Sequence, residues 1–204
     1  MKIGLLFGSF NPIHIGHLAI ANYMSAYCQL EEVWLVVTPQ NPLKTWHELA
    51  AALHRLEMAR LAVARIPRFR VCDIEFNLPA PTYTIDTLRI LRERYPQHRF
   101  YFITGSDNWL QLPKWKGFKQ LLDKIEWLVY PRFGYDLPEI PPNTSTVQFI
   151  TAPRIEISSS FIREAFAKGL FLECFLPLQV YQYILRYHLY FPPPTGKTGG
   201  TAGT

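Results

Sequence analysis

The sequence predicts an α/β protein: a doubly wound parallel sheet in one domain over residues 1–191, with a small helical part at the C-terminal end. Three observations carry this. Strand-like and helix-like segments alternate from the first residues. The strand-like segments are near-continuous apolar runs, as expected for strands covered on both faces. The helical segments repeat apolar residues near the 3.6 period.

Residues 2–7, Lys-Ile-Gly-Leu-Leu-Phe, read as the first central strand. Residues 16–28 follow as a helix starting at Gly16 and carrying Leu18, Ala21 and Tyr23. The next strand is 32–38. A helix over 48–66 places Leu49, Ala52, Leu53, Leu56, Ala59 and Val63 on one face. A weaker strand covers 69–74. The third helix runs from Thr84 to Arg94 and is stopped by Pro96. Strands follow at 99–104 and 125–130, with a weaker one at 146–151. Ser158 to Lys168 form a helix with Gly169 as its expected C′ residue. Pro177 opens a last helix reaching about Tyr190. Residues 192–204 are dominated by Pro, Gly and Thr and are expected to be a disordered tail. Its Gly196-Lys197-Thr198 imitates the end of a P-loop, but Phe191 stands where that motif needs Gly and no strand precedes it.

Composition narrows the function classes. The chain has 204 residues, 49% of them hydrophobic and 18% charged, with a net charge of +5. A chain of this length buries roughly 70% of its unfolded surface and needs no staples. The three cysteines, Cys28, Cys72 and Cys174, are far apart and form no CxxC, against a disulfide framework or a zinc ribbon. No apolar run approaches the ~20 residues of a membrane span. The N-terminus lacks the pattern of a signal peptide, so a cytoplasmic protein is expected. Net positive charge suits an anionic partner. No block of Lys and Arg exceeds two neighbours, so neither a nucleic-acid arm nor a membrane role is indicated. A homo-oligomer is compatible with the chain but not specified by it.

In parallel α/β sheets ligands sit beyond the carboxyl ends of the strands. After the first strand comes Gly8-Ser9-Phe10-Asn11-Pro12-Ile13-His14-Ile15-Gly16-His17. This is not the GxGxxG dinucleotide fingerprint. Gly8 allows close approach to the backbone, and His14 and His17 face a helix N-terminus that favours an anion. Three readings stand: phosphate binding with hydrogen bonds to a phosphoryl-transfer transition state, a structural pair, or a metal pair lacking an evident third ligand.

GSFNPIHIGH resembles the H-x-G-H motif of the nucleotidyltransferases, and the chain from Met1 to about Tyr190 resembles the bacterial nicotinate-nucleotide adenylyltransferase branch. The resemblance implies a Rossmann-like fold and ATP contacts from Gly8, Ser9, Phe10, His14 and His17. Lys44 follows the second strand and is implied to touch phosphates; Leu43 stands where His is usual before it. Ile157-Ser158-Ser159-Ser160-Phe161-Ile162-Arg163 resembles I-S-x-T-x-x-R, with Ser160 in place of Thr. Its hydroxyls can cap the helix, and by resemblance they bind phosphate together with Arg163. Gly105 and Asp107 after the fourth strand resemble residues of the nucleotide pocket.

The acceptor implied by the same resemblance is nicotinate mononucleotide; the alternatives are another phosphate acceptor, nicotinamide mononucleotide or 4′-phosphopantetheine, or a nucleotide-binding regulator without turnover. Tyr83 and Thr84 of Tyr-Thr-Ile-Asp-Thr, Ser9, and Trp115 of Pro-Lys-Trp are implied to hold the nicotinate mononucleotide. Trp115 lies in a loop between two lysines, whereas Trp34 and Trp127 sit inside strands and read as core. An indole face suits a flat pyridinium. The implied reaction moves AMP from ATP to the mononucleotide, giving deamido-NAD and pyrophosphate. His14, His17, Lys44 and Arg163 are its catalytic candidates. Magnesium is expected to arrive with ATP, with no protein metal ligand.

Overall fold

A computed structural model of the chain describes residues 1–40, 49–136 and 146–192. Six strands form one parallel sheet: β1 (Lys2–Gly8), β2 (Glu32–Val37), β3 (Phe69–Cys72), β4 (Arg99–Gly105), β5 (Glu126–Tyr130) and β6 (Val147–Phe149). Their spatial order is β3-β2-β1-β4-β5-β6. Seven α-helices accompany them among the described residues: α1 (Ile15–Tyr27), α2 (Ala52–Val63), α3 (Thr84–Arg94), α4 (Ser106–Gln111), α5 (Phe118–Lys124), α6 (Ser159–Ala167) and α7 (Leu178–Arg186).

The continuous apolar runs are explained by burial on both sheet faces. Side chains alternate across a strand, so neighbours in sequence enter different cores. Leu6, Leu35, Ile103 and Leu128 join one core with α1, α2, α6 and α7. Leu5, Trp34, Phe102 and Trp127 join the other with α3 and α5. The sheet therefore has a helical layer on each side, the doubly wound arrangement expected from the sequence.

Several boundaries differ from the sequence reading. The helix expected over 48–66 is α2, starting at Ala52. Leu49 precedes it, and Leu53 is 72% exposed. Its buried stripe runs through Arg55, Leu56, Ala59, Ala62 and Val63, so a charged residue occupies a slot the apolar pattern assigned elsewhere. In α1 the buried residues are Gly16, Ile20, Ala21, Met24 and Ser25, with Leu18 and Tyr23 only half-buried. Residues 106–124 contain α4 and α5, for which the sequence shows no helical pattern. Each is under two turns, and Pro113 and Gly117 interrupt the stretch, so no periodic signal builds up.

Helix ends follow local chemistry. Ser158 caps α6, its hydroxyl accepting from Phe161 N–H at 3.1 Å. At the other end Gly169 has φ of 72°. Leu170 N–H donates to Ala165 and Gly169 N–H to Phe166, the paired bonds of a Schellman motif. The last helix, expected to reach Tyr190, stops at Arg186 because His188 enters the left-handed region at φ 52°. Leu189 N–H then turns back to Ile184.

Candidate active site

Strand order places the site. β1 pairs with β2 on one side and β4 on the other, both parallel. The winding reverses between β1 and β4, so a crevice opens beyond their carboxyl ends. β1 ends at Gly8 and β4 at Gly105. Two cavities lie at this end of the sheet, one of about 510 Å³ and one of about 190 Å³. Phe7, Gly8 and Asn108 line both, so they share a wall.

The larger cavity is built on the loop between β1 and α1. Phe10 sits at φ 46°, a costly conformation for an aromatic residue. Its ring is buried and meets the edge of His17 at a centroid distance of 5.0 Å. His14 is the N-cap of α1, and its N–H donates to Nδ1 of His17 at 3.2 Å. The two imidazole centroids are 3.7 Å apart. Gly16 between them leaves room for the first ring: a Cβ there would lie 3.0 Å from His14 Nδ1, a tight contact. The H-x-G-H spacing thus brings two imidazoles together at a helix start, tilted 31° to each other.

His14 is 3% exposed. Burial, aided by the Arg132 charge, pushes its pKa down to about 3. It is a neutral imidazole near neutral pH, able to donate one hydrogen bond. Among the described residues, the buried side-chain polar atoms without a hydrogen-bond partner include Ser9 Oγ and His14 Nδ1, both on residues lining this cavity. Buried polar atoms are normally paired, so this wall is polar beyond what the fold requires.

The opposite wall comes from α6. Ser158, Ser159, Ser160 and Arg163 all line the cavity. Ser159 Oγ donates to the carbonyl of Pro12 at 2.9 Å. Arg163 Nη1 donates to Asn11 O at 3.0 Å, and its Nη2 to Ser160 Oγ at 3.3 Å. These residues therefore also tie α6 to the histidine loop. Asp107 lines the cavity beside Arg132, 3.9 Å from its Nε, just after Gly105. Gly105 itself ends β4 and is not part of the lining. Lys44 and Leu43 lie outside the described residues.

The smaller cavity has aromatic walls. Trp115 follows a short turn at residues 112–114 and meets Phe102 edge-on at 6.0 Å. Tyr83 is the N-cap of α3 and Thr84 its first residue, and both line the cavity with Trp115. The first N–H groups of α3 have no partner within the helix, a natural seat for a carboxylate. Lys116 Nζ lies 4.3 Å over the Tyr83 ring and 3.2 Å from Asp86 Oδ2.

Sequence reasoning missed five residues around these cavities. Arg132 and Asn108 follow strands and match no pattern used. Thr38 and Glu75 line the smaller cavity; Glu75 lies in an unremarkable Asp-Ile-Glu run. Arg55 is 1% exposed and donates to the carbonyls of Ser9, Thr38, Pro39 and Ala50. A position at the carboxyl edge of the sheet was the available signal for Arg132, Asn108 and Thr38.

The donor set can bind anions. It offers imidazoles, hydroxyls and guanidinium groups, and among the described residues no cluster of three or more His, Cys, Asp or Glu is placed to hold a metal.

Comparison with known proteins agrees with the geometry. Residues 5–165 match the family model described as cytidylyltransferase-like. A "probable nicotinate-nucleotide adenylyltransferase" of Bacteroides fragilis is 46% identical over 91% of this chain and 92% of its own length. One from Flavobacterium johnsoniae is 44% identical over 93% of this chain and 99% of its own. The solved nicotinic acid mononucleotide adenylyltransferase of Plasmodium falciparum, complexed with NaAD, shares the fold at a TM-score of 0.77 and 22% identity, covering 93% of this chain and 97% of that one. With its H-x-G-H loop at the sheet switch point, the chain belongs to the nicotinate-nucleotide adenylyltransferase family of the cytidylyltransferase-like nucleotidyltransferases.

Proposed function

We propose that the protein transfers AMP from ATP to nicotinate mononucleotide, forming deamido-NAD and pyrophosphate in NAD biosynthesis. The shared wall of the two cavities carries this reading. A polar cavity of about 510 Å³ and an aromatic one of about 190 Å³ meet at Phe7, Gly8 and Asn108. A triphosphate in the first and a pyridine ring in the second would bring their phosphates together at the histidine loop.

The chemistry needs little beyond positioning. The acceptor phosphate attacks the α-phosphorus of ATP in line, and pyrophosphate leaves. A phosphate monoester dianion is already a nucleophile near neutral pH, so no general base is required. We assign His17 and neutral His14 as hydrogen-bond donors to the charge that grows on the transferring phosphoryl oxygens. Arg163 and the hydroxyls of Ser159 and Ser160 face the leaving phosphates, with Lys44, which follows β2 in the sequence, as a further cation. Gly8, Ser9, Phe10 and Asp107 shape the nucleotide side; Tyr83, Thr84 and Trp115 receive the ring. Magnesium is assigned to the nucleotide's own phosphates and water. A donor set of imidazoles, hydroxyls and guanidinium fits a phosphate-held ion.

The test is pyrophosphate release from ATP and magnesium with nicotinate mononucleotide, nicotinamide mononucleotide or 4′-phosphopantetheine offered separately. Turnover mainly with the first supports the proposal. Turnover mainly with another acceptor overturns the ring assignment, and no release with any overturns the reaction.

A further inference from the structure

Glu75 is the one acidic side chain among the described residues lining the smaller cavity. It is 2% exposed. Its Oε2 accepts from Thr82 Oγ1 at 2.9 Å and its Oε1 from Thr87 Oγ1 at 2.8 Å. The Thr38 hydroxyl also favours the ionised form of the carboxyl. None of the ion pairs among the described residues includes Glu75.

This environment satisfies the oxygens with hydroxyls rather than with a cation. Burial pushes the carboxyl up, and the hydroxyls of Thr87, Thr82 and Thr38 pull it back towards ionisation. A buried charge normally has an opposite charge beside it. The protein places its nearby cations, Lys114 and Lys116, in exposed positions on the cavity lining, and Lys116 is paired with Asp86. The cavity thus has a carboxyl group at its floor, aromatic walls and lysines at its rim.

We propose that Glu75 is the counter-charge for a cationic ring bound in the smaller cavity, making the site selective for a pyridinium over an uncharged ring of the same shape. The inference rests on the acceptor reading above. A nicotinate ring bears a positive ring nitrogen and a negative carboxylate, and the floor and rim offer one charge for each. Trp115 adds the face of an indole, which attracts a cation in the same sense.

The experiment compares nicotinate mononucleotide with its 1,4-dihydro form, whose ring is uncharged, in calorimetric binding and in pyrophosphate release. Wild type is expected to bind the pyridinium form at least ~10-fold more tightly. Glu75→Gln keeps size and removes the charge, with one Thr hydroxyl turning to accept from the new NH2 group. It is expected to raise the KM of the pyridinium form about 10-fold and change that of the dihydro form less than about twofold. Glu75→Asp, which keeps the charge, is expected to retain the preference. Equal binding of both forms by wild type overturns the proposal without reference to any variant. Equal weakening of both forms in Glu75→Gln also overturns it, because a residue that merely shapes the cavity affects both alike. If wild type ignores nicotinate mononucleotide but turns over another acceptor, the acceptor reading fails first and the inference falls with it.

Discussion

The guanidinium of Arg55 donates to the carbonyl of Ser9 at 2.7 Å, across 46 residues of chain. The same nitrogen reaches Thr38 O at 2.8 Å, and Nε reaches Ala50 O at 3.0 Å. Arg55 thus joins the histidine loop, the carboxyl end of β2 and the approach to α2 through one buried group. The planar fork can satisfy several carbonyls at once, whereas an ammonium is a point donor. Burial lowers the pKa of this guanidinium, with the nearby Tyr190 acting in the opposite direction.

Arg55→Lys is therefore expected to destabilise the fold by about 2–4 kcal/mol, since buried carbonyls lose their donors. The KM for ATP should rise as well, because Ser9 lines the nucleotide cavity. Denaturant unfolding and initial rates check both. A stability change below about 0.5 kcal/mol, the range of a neutral surface substitution, would remove Arg55 from this role.

His17→Ala is expected to lower kcat by at least ~10², as loss of one preorganised transition-state donor does. Its stability cost should be small. His17 is half-buried, and the bond it accepts from His14 N–H is 3.2 Å long. A melting curve beside the rate separates the two effects. Activity near wild type would overturn the assignment.

His14 gives a pH signature. Its folded pKa is about 3, below the ordinary value of 6.5. Between these values the unfolded chain binds a proton that the folded chain refuses. Stability from this group is therefore present above pH 6.5 and falls as pH drops towards 3, by up to about 1.4 kcal/mol per pH unit. His14→Asn lacks this titration. Relative to it, wild type should lose stability between pH 6.5 and 5, and parallel curves would show that His14 is not held neutral.

The strand–helix order and the first loop were legible in the sequence. β1 and β2 were readable because burial on both faces imposes unbroken apolar runs. The H-x-G-H loop was readable because its geometry is local: Gly16 and both histidines fall within four residues. Arg55 and Glu75 were not readable, because their partners are assembled by the fold. A buried Arg in an amphipathic helix looks like a solvent-facing one until its carbonyl partners arrive from two strand ends. Leu53 is the converse case, an apolar residue on the right period that faces solvent. The short helices α4 and α5 were hidden by length, yet they carry Asn108 and frame Trp115.

Trp115 separates the two cavities by a kinetic criterion. Its ring lines the smaller cavity and is absent from the lining of the larger one. It is half-buried and braced by Phe102 at 6.0 Å, so its removal leaves the sheet core in place. Trp115→Ala takes away a stacking face and a cation–π surface worth about 1–2 kcal/mol or more when desolvated. The KM for nicotinate mononucleotide should rise about 10- to 30-fold, 1.4 kcal/mol being tenfold. The KM for ATP should stay within about twofold, and Trp115→Phe should recover part of the loss, because a phenyl ring still stacks but binds a cation less well than indole. Equal rises in both KM values would mean that Trp115 supports the crevice as a whole, and the ring would then have to be sought elsewhere along α3.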